Sequence, residues 1–372
     1  MNSTYLQQKI ALAILRTASN RRLRQLLDLS ADLNAFFTSP PAQDYARLLK
    51  RYYFATKSKR ELALHEAEKY QMYFKRNDCE LLFFKERDYS SRLLECPDAP
   101  ITLFKKGNFD FNARRIVGIV GTRHITKYGK RICEDLIASL QGKDILVVSG
   151  LAYGVDVCVH QLCLKYGVPT VGVLGHGFDF MYPSAHSSIA REMQENGGLV
   201  SEFMPDVKPE RVHFPMRNRI IAGMSDATIV VESGIKGGSL ITAEMANGYN
   251  REVFAFPGSI YDEYSKGCNE LIRNNKAILI NSGEEFLKMM NWEENIGKTP
   301  ISQPSLFDNL ENLSENEQKI YRFIKEKKEV LKDDILMEFQ AISGELFGVL
   351  LQLEMNNFIE FLPSGNYRCK MN

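Results

Sequence analysis

The sequence of residues 208–242, KPERVHFPMRNRIIAGMSDATIVVESGIKGGSLIT, places several cations, a strand and a glycine loop in one segment. Within it, Ala227 to Val231 is a short apolar run with β-branched residues, which is typical of a buried strand. Three glycines between Ser233 and Ser239 predict a flexible loop, and Leu240 to Asn247 predicts a helix. A helix N-terminus after such a loop can bind an anion, because unpaired backbone N–H groups and the helix dipole favour negative charge there.

Positive groups surround an aromatic side chain in the first part of this segment. Arg211, Arg217 and Arg219 are cations, His213 can be protonated, and Phe214 lies among them. Cations that follow a phosphate backbone and rings that stack on bases are the features of a single-strand site. The segment therefore indicates a phosphorylated ligand that carries bases, either a nucleotide or a nucleic-acid strand.

Strands and helices alternate through the middle of the chain, and this alternation predicts a parallel sheet with helices on both faces. The predicted strands are 80–84, 115–121, 145–149, 169–174, 199–202, 227–231, 252–256 and 277–280. The predicted helices between them are 126–140, 156–166, 184–196, 240–247, 268–274 and 284–290. The fold class is therefore α/β.

Glycine or polar turns follow five of these predicted strands. They are Gly121-Thr122-Arg123, Ser149-Gly150, Gly175-His176-Gly177, Gly237-Gly238-Ser239 and Pro257-Gly258. In such sheets a ligand binds outside the carboxyl ends of the strands, near a topological switch point. We therefore expect one phosphate-binding edge. The alternative is that loops between strands and helices contain glycine for backbone reasons alone.

The two ends of the chain differ from this central part. Residues 1–75 show helical apolar periodicity and predict an N-terminal helical domain, which leaves 76–292 as the central domain. Residues 293–312 are polar, with Pro300 and Pro304, and predict a linker. Residues 313–372 predict three helices and a hairpin, which is the winged-helix pattern.

The third predicted helix of the C-terminal domain, residues 343–357, would occupy the position that reads a DNA groove. It contains Glu345 and Glu354 and no Lys or Arg. A groove-reading helix without a cation lacks the phosphate contacts that supply much of the affinity for DNA. We therefore expect this domain to contact protein, or to contribute little on DNA.

The composition is that of an ordinary globular protein. The 372 residues contain 47 Lys and Arg against 46 Asp and Glu, so any basic surface must be local. The seven cysteines form no C-x-x-C pair and the histidines have no metal-ligand spacing, so we expect neither disulfides nor a metal site. We find no signal peptide and no apolar run of membrane length, and we predict a cytoplasmic protein without membrane contact.

The chain resembles the DNA-processing protein A (DprA/Smf) family in several dense motifs. They include VGIVGTRHITKYG (117–129), VVSGLAYGVDVCVH (147–160), GVLGHGFDFMYP (172–183), HFPMRNRIIAGMSDATIVVES (213–233) and GGSLITAEMA (237–246). The resemblance implies an extended Rossmann-like domain between an N-terminal helical domain and a winged helix. It also implies a protein without enzymatic activity or cofactor, which binds single-stranded DNA. Such a protein loads the recombinase RecA onto the strand in natural transformation and forms a homodimer through the Rossmann-like domain.

The same resemblance implies which residues bind the single strand. Arg123 falls at the basic position of a G-[ST]-R turn, and 211–219 match a basic-x-x-F-P-x-R-N-R segment. The implied contacts are Arg123, Ser149, Gly150, Arg211, Phe214, Arg217, Asn218, Arg219, Gly238, Ser239 and Thr242.

Several of these residues also allow a structural interpretation. Phe214 could be a core residue, Asn218 could be a helix N-cap, and Arg123 could stabilise a loop. The alternative for Arg217 or Arg219 is an ion pair that fixes the edge of the sheet. The acids available for such a pair are Glu202, Asp226 and Glu232.

An enzymatic alternative is a nucleotide hydrolase that resembles the phosphoribohydrolases. Gly237-Gly238-Ser239, followed by Thr242 and Glu244, is similar to the G-G-x-G-T-x-x-E loop of that class, although the spacing differs. A carboxylate there could stabilise an oxocarbenium-like state, with Asp156 or Glu202 as a second acid. No P-loop and no G-x-G-x-x-G motif occurs, so the sequence excludes a P-loop ATPase and disfavours a dinucleotide-dependent dehydrogenase.

Overall fold

The computed structural model describes residues 3–15, 20–38, 56–293, 313–327, 329–339, 346–356, 358–362 and 366–369. The chain divides into two compact units, Met1–Glu293 and Glu294–Asn372, which are called the large unit and the small unit below. Residues 46–54, which belong to the predicted N-terminal helical domain, and residues 294–312 of the predicted linker lie outside the described residues. The finer division of the chain into four parts stays a prediction.

The large unit is built on a nine-stranded sheet in the order β1-β2-β6-β5-β4-β3-β7-β8-β9. Strands β2 and β6 pair antiparallel, as do β1 and β2, and the other neighbours pair parallel. The strands are β1 (Glu80–Phe83), β2 (Thr102–Asn108), β3 (Ile116–Val120), β4 (Leu146–Ser149), β5 (Thr170–Leu174), β6 (Gly197–Ser201), β7 (Ala227–Val230), β8 (Glu252–Ala255) and β9 (Ile278–Leu279).

Twelve described α-helices accompany this sheet. The first five are α1 (Ser3–Ile14), α2 (Asn20–Asp28), α3 (Leu33–Thr38), α4 (Lys57–Arg76) and α5 (Ser91–Leu94). The next four are α6 (Lys127–Leu140), α7 (Val155–Tyr166), α8 (Ser187–Glu192) and α9 (His213–Met224). The last three are α10 (Gly238–Gly248), α11 (Lys266–Arg273) and α12 (Gly283–Met289).

The central strands β3, β4, β5 and β7 are buried on both faces of the sheet, as their near-continuous apolar sequences require. Alternate side chains of β3 belong to different cores, with Ile116 and Val120 on one face and Val117 and Ile119 on the other. The first core continues into the N-terminal helices and into α9 and α10. The second core contains α6, α7 and α12. The predicted α/β class with a largely parallel sheet is thereby confirmed.

The second core ends at an aromatic cluster around α12. The ring of Phe286 packs edge-on against Phe254, with ring centroids 5.2 Å apart, and against Trp292, at 5.4 Å. Trp292 is the single tryptophan of the sequence, and it is 8% exposed. This cluster holds the C-terminal end of the large unit against the sheet.

The strand order creates a topological switch point beside β3. From β3 the chain continues through β4 and β5 to β6 on one side of the sheet. It then returns to form β7, β8 and β9 on the other side. The loops that follow β3 and β7 therefore diverge from a shared edge, which is where a ligand site is expected.

The elements of the large unit differ from the predicted ones in several places, one of which is the short helix α5, which was not predicted. Strand β2 was not predicted, and the predicted helix 184–196 is a short 3₁₀ turn followed by α8, which ends at Glu192. Helix α9 was not predicted either. It begins at His213 and tolerates Pro215, because the first N–H groups of a helix have no partner inside it.

The small unit contains three described helices and a three-stranded antiparallel sheet in the order β10-β12-β11. Its elements are α13 (Glu315–Lys327), β10 (Glu329–Leu331), α14 (Lys332–Glu338), α15 (Leu346–Met355), β11 (Ile359–Phe361) and β12 (Asn366–Cys369). Ser314 and Glu317 form a capping box, in which the Ser314 N–H donates to the Glu317 carboxylate at 2.7 Å and the Glu317 N–H donates to Ser314 Oγ at 3.3 Å. The winged-helix assignment stays a prediction, and its turn at 363–365 lies outside the described residues.

No helix in the described parts of the chain is both long enough and apolar enough to cross a bilayer.

Candidate functional site

A cavity of about 600 Å³ opens at the switch point, beyond the carboxyl ends of β3, β4 and β7. Its walls come from the loops after these strands, from α9 and from Tyr182. The polar and aromatic lining comprises Thr122, Arg123, His124, Asp156, Tyr182, Arg211, Phe214, Arg217, Asn218, Ser239 and Thr242, together with Gly121, Gly237 and Gly238. The predicted binding edge and the cavity therefore coincide.

The cavity gathers most, though not all, of the residues predicted to bind. Eight of the eleven line it, namely Arg123, Arg211, Phe214, Arg217, Asn218, Gly238, Ser239 and Thr242. Ser149, Gly150 and Arg219 lie behind the walls.

Arg123 and Phe214 form a cation–aromatic pair at the mouth of the cavity. The Arg123 side chain is exposed, and its Cζ lies 5.8 Å from the centroid of the Phe214 ring. Phe214 is half-buried and its ring contacts that of Tyr182, with centroids 5.7 Å apart. Because Phe214 remains partly exposed in the lining, a base can reach its ring. Arg211 is also exposed and adds a second accessible cation.

Arg217 is a buried cation whose hydrogen bonds are made to the protein itself. Its Nη1 donates to the carbonyl oxygens of Gly150, at 2.5 Å, and of Val173, and its Nε donates to Asn218 Oδ1 at 3.0 Å. Burial lowers the pKa of Arg217 to about 10, with nearby Asp156 acting in the opposite direction. The guanidinium therefore stays charged at neutral pH and fastens the loop after β4 to β5.

Asp156 and Gly150 complete this wall. The Asp156 carboxylate accepts from the Ala152 N–H at 3.3 Å, and its burial raises its pKa while Arg217 lowers it. A Cβ at Gly150 would lie 2.3 Å from Arg217 Nη2 and 2.5 Å from Asp156 Oδ2. Glycine is required at position 150 because the two charged groups occupy the space of a side chain. Behind them, Ser149 is fully buried and donates to the Ile119 carbonyl at 2.6 Å.

The glycine loop and the start of α10 form the opposite wall. Helix α10 begins after Gly237 without a side-chain cap. The Leu240 N–H donates to the Gly237 carbonyl at 3.1 Å, whereas the N–H groups of Gly238 and Ser239 have no acceptor within the helix. A Cβ at Gly238 would meet nothing within 4 Å, so this wall is open to a ligand. The Ser239 hydroxyl donates to Ser233 Oγ at 2.8 Å, and Asn218 Nδ2 donates to the Gly238 carbonyl at 3.4 Å. The arrangement is that of an anion site at a helix N-terminus.

Arg219 lies on the other side of α9. Its Nη2 is 2.5 Å from Glu202 Oε2, and both side chains are buried. Glu202 also accepts from Asn20 Nδ2 at 2.7 Å, so the pair connects α9 to the N-terminal helices. The ion-pair interpretation of this arginine is confirmed. Asn218, by contrast, lies inside α9 and is not its N-cap.

The other two acids considered as arginine partners have different roles. Asp226 pairs with Arg92 at 2.6 Å. The Glu232 carboxylate accepts from the Thr126 N–H at 2.9 Å and from the Thr126 hydroxyl at 2.5 Å, at the start of α6. The Glu232 carbonyl also accepts from the Thr122 N–H at 2.8 Å. Glu232 therefore positions the loop that carries Arg123, a role that sequence reasoning missed.

Two further lining residues were not assigned a role from the sequence. Tyr182 lies in the loop after β5, and nothing in its spacing marks it. His124 follows Arg123 directly, and its ring lies 5.9 Å from that of Tyr264. The position of His124 beside the G-[ST]-R turn was a signal that could have identified it.

The carboxylates that a hydrolase would need are not gathered at the cavity. Glu244 is exposed and pairs with Lys276 at 3.0 Å, and Glu202 is held by Arg219. Of the described lining residues, Asp156 alone is acidic, against three arginines. The cavity is therefore electropositive. In the described parts of the chain, no three His, Cys, Asp or Glu residues cluster to hold a metal ion.

The sequence matches one protein family over most of its central part. The model of that family, described as DNA recombination-mediator protein A, matches residues 80–291. The DNA processing protein DprA of Streptococcus pneumoniae (strain ATCC BAA-255 / R6) is 41% identical over 199 residues. These residues cover 54% of this chain and 70% of that protein.

Two solved structures share the fold. The X-ray structure of DNA processing protein A from Streptococcus pneumoniae has a TM-score of 0.65 and 30% identity, and the match covers 77% of this chain and 97% of that one. The second, from Helicobacter pylori, has a TM-score of 0.53 and 26% identity, and covers 58% of this chain and 97% of that one. It is described as giving insight into a unique single-stranded DNA binding mode of DNA processing protein A.

Proposed function

The chain belongs to the DNA recombination-mediator protein A family, and from this premise we propose that it binds single-stranded DNA in the cavity at the switch point. The observation that carries the proposal is the juxtaposition of three features. They are the Arg123–Phe214 pair, the uncapped start of α10, and a lining that holds three arginines against one acid. A solved relative that shares the fold binds single-stranded DNA by its own description.

We assign phosphate contacts to the two accessible cations, Arg123 and Arg211, and to the backbone N–H groups at the start of α10. Phe214 stacks on a base, an interaction that is worth about 1–3 kcal/mol. Asn218 and the hydroxyl groups of Ser239 and Thr242 also line the cavity, and we assign them polar contacts to the strand.

The other predicted residues support this site. Arg217 and Gly150 hold the wall beside β4, and Ser149 anchors the strand end behind it. Arg219 fixes the opposite face of α9 through its pair with Glu202. We therefore expect substitutions of these four residues to affect binding by changing the geometry of the cavity.

The match to the family supports a wider role. We propose that the protein acts in the cytoplasm by binding, without catalysis or a cofactor. The bound strand is passed to RecA during natural transformation. A homodimer formed through the Rossmann-like part of the large unit would present two sites and raise avidity for long strands.

Fluorescence anisotropy of a labelled oligo-dT strand at two salt concentrations, with a duplex of equal length, tests the site. The wild type should prefer the single strand and bind it more weakly at the higher salt concentration. Arg123→Glu should weaken binding about tenfold or more and flatten the salt dependence, because a phosphate contact is lost. Arg131→Glu is the matched control, since Arg131 lies on α6 with 85% of its side chain exposed and outside the cavity lining.

Two results would contradict the proposal. One is an Arg123→Glu variant that binds like the wild type. The other is an equal loss in Arg131→Glu, which would indicate a general charge effect. Phe214→Ala should also lose affinity while unfolding at the wild-type denaturant concentration. If it unfolds much earlier, the ring is a core residue.

A further inference from the structure

Helix α15 of the small unit exposes an apolar stripe. Phe347 is 52% exposed, Leu351 58% and Met355 74%, and their spacing of four places them on one face of the helix. The opposite face, with Leu346, Leu350 and Leu353, is buried in the core of the unit. A helix that is apolar on both faces normally has a partner on each.

DNA does not fit this face. Between Leu346 and Met355 the helix has no Lys or Arg, and it presents Glu354 beside Met355. Phosphates would find no cation on α15 itself and would be repelled by the Glu354 carboxylate. The apolar surface therefore fits a protein partner.

The order of the side chains along the stripe is symmetric about Leu351. Phe347 precedes it by four residues and Met355 follows it by four. If a second copy of α15 lies antiparallel, Leu351 meets Leu351 on a two-fold axis, and Phe347 meets Met355 of the second copy. A self-complementary patch of this kind is the requirement for an isologous dimer.

Charges at the two ends of the stripe follow the same symmetry. Lys332 Nζ lies 4.5 Å from the Phe347 ring centroid at one end, and Glu354 adjoins Met355 at the other. An antiparallel second copy places each Lys332 against Glu354 of the other chain. Among the described residues, neither Lys332 nor Glu354 has a recorded ion pair that this contact would have to break.

Gly348 allows the backbone of a second helix to approach α15 closely, because glycine has no side chain. It lies three residues before Leu351 on the same side of α15, and a Cβ built there would meet nothing within 4 Å. Among the described residues of the small unit, no contact therefore accounts for a glycine in the interior of this helix, where glycine is unfavourable. A second helix backbone packed at this point would account for it.

We propose that the small unit associates with a second copy of itself through an antiparallel contact of α15 with α15. The proposal goes beyond strand binding and does not depend on it. A contact of one helix pair is small compared with standard interfaces, so the association is weak and is seen at high protein concentration.

Analytical ultracentrifugation of the full chain without DNA, over a range of protein concentrations, tests the contact. The average molar mass of the wild type should rise with protein concentration. At concentrations where the wild type shows a doubling of mass, the Leu351→Glu variant should lack that doubling. Leu62→Glu is the matched control, because Leu62 lies on α4 with a similar exposure of 60%. Equal masses for wild type and Leu351→Glu would overturn the proposal and leave the stripe to another protein.

A charge exchange separates the contact from an effect on folding. Lys332→Glu and Glu354→Lys should each weaken association about tenfold, since two attractive pairs per dimer become repulsive. The double variant should restore it, because each new glutamate faces a new lysine. A double variant that associates no better than the single ones would overturn the antiparallel geometry.

Discussion

At the scale of single residues, the arginines that line the cavity have two different roles: one kind is accessible to a ligand, and the other stabilises the fold. Arg123 is exposed and pairs with a ring, whereas Arg217 donates to the carbonyl oxygens of Gly150 and Val173 and lies beside buried Asp156. Both residues line the same cavity. Their substitution should therefore affect different properties of the protein.

We expect Arg217→Met to lower the free energy of unfolding by about 3 kcal/mol or more, because the buried Asp156 carboxylate loses its cation and the carbonyl groups of Gly150 and Val173 lose a charged donor. Arg123→Met, at an exposed position, should change it by less than about 0.5 kcal/mol. Urea unfolding of both variants measures the difference. Similar losses in the two would show that Arg217 is not the structural cation described above.

Gly150 and Gly238 form a second contrasting pair at this scale. An alanine Cβ at Gly150 would lie 2.3 Å from Arg217 Nη2, whereas at Gly238 it would meet nothing within 4 Å. Gly150→Ala should therefore cost about 1–3 kcal/mol of stability, and Gly238→Ala should cost none. Thermal unfolding checks the stabilities. If Gly238→Ala weakens oligo-dT binding while it keeps the wild-type stability, a ligand approaches the loop closely.

At the scale of elements, α9 explains which predicted contacts reach the cavity. Phe214, Arg217, Asn218 and Ile221 line it, and these positions follow the i, i+3, i+4, i+7 pattern of one helix face. Arg217 and Arg219 are two residues apart and so point about 200° away from each other. Once residues 213–224 form a helix, the two arginines cannot share a wall.

Much of the large unit could be predicted from the sequence because its signals are local. Short apolar runs such as 116–120 and 227–230 marked the central strands, and glycine turns marked the edge where the cavity opens. Helix α9 was missed because Pro215 and two arginines near its start are typical of a loop. The Arg219–Glu202 pair and the Glu232–Thr126 contact join residues that are distant in sequence, and only the fold brings them together.

Helix α7 contains a buried histidine that should make stability depend on pH. His160 is fully buried, its Nδ1 lies 2.8 Å from Thr170 Oγ1, and burial lowers its pKa from 6.5 to about 3. Below pH 6.5 the unfolded chain therefore binds a proton that the folded protein does not bind until about pH 3. This contribution to stability is complete above pH 6.5 and is lost as the pH falls.

At pH 5 the loss from His160 amounts to about 2 kcal/mol. Urea unfolding at pH 7.5 and pH 5 should show this decrease in the wild type. In His160→Gln the decrease should be smaller by about that amount, since the other titrating groups are unchanged. Equal decreases in the two proteins would mean that the imidazole is protonated in the folded state.

At the scale of the whole molecule, the cavity belongs to one unit. Every lining residue lies between Val120 and Thr242, inside the large unit. We therefore expect a chain that ends at Glu293 to bind oligo-dT with the same salt dependence as the full chain, and within about threefold of its affinity. Anisotropy titrations of the two chains measure this. A loss of binding in the shorter chain would assign part of the site to the small unit.

The aromatic cluster at the end of the large unit has an optical consequence. Trp292 is the single indole of the chain, and it is buried beside Phe286. Selective excitation of indole emission thus reports on this unit alone, whereas far-ultraviolet circular dichroism averages over the helices of both units. If the two signals change at different denaturant concentrations, the two units unfold as separate cooperative bodies.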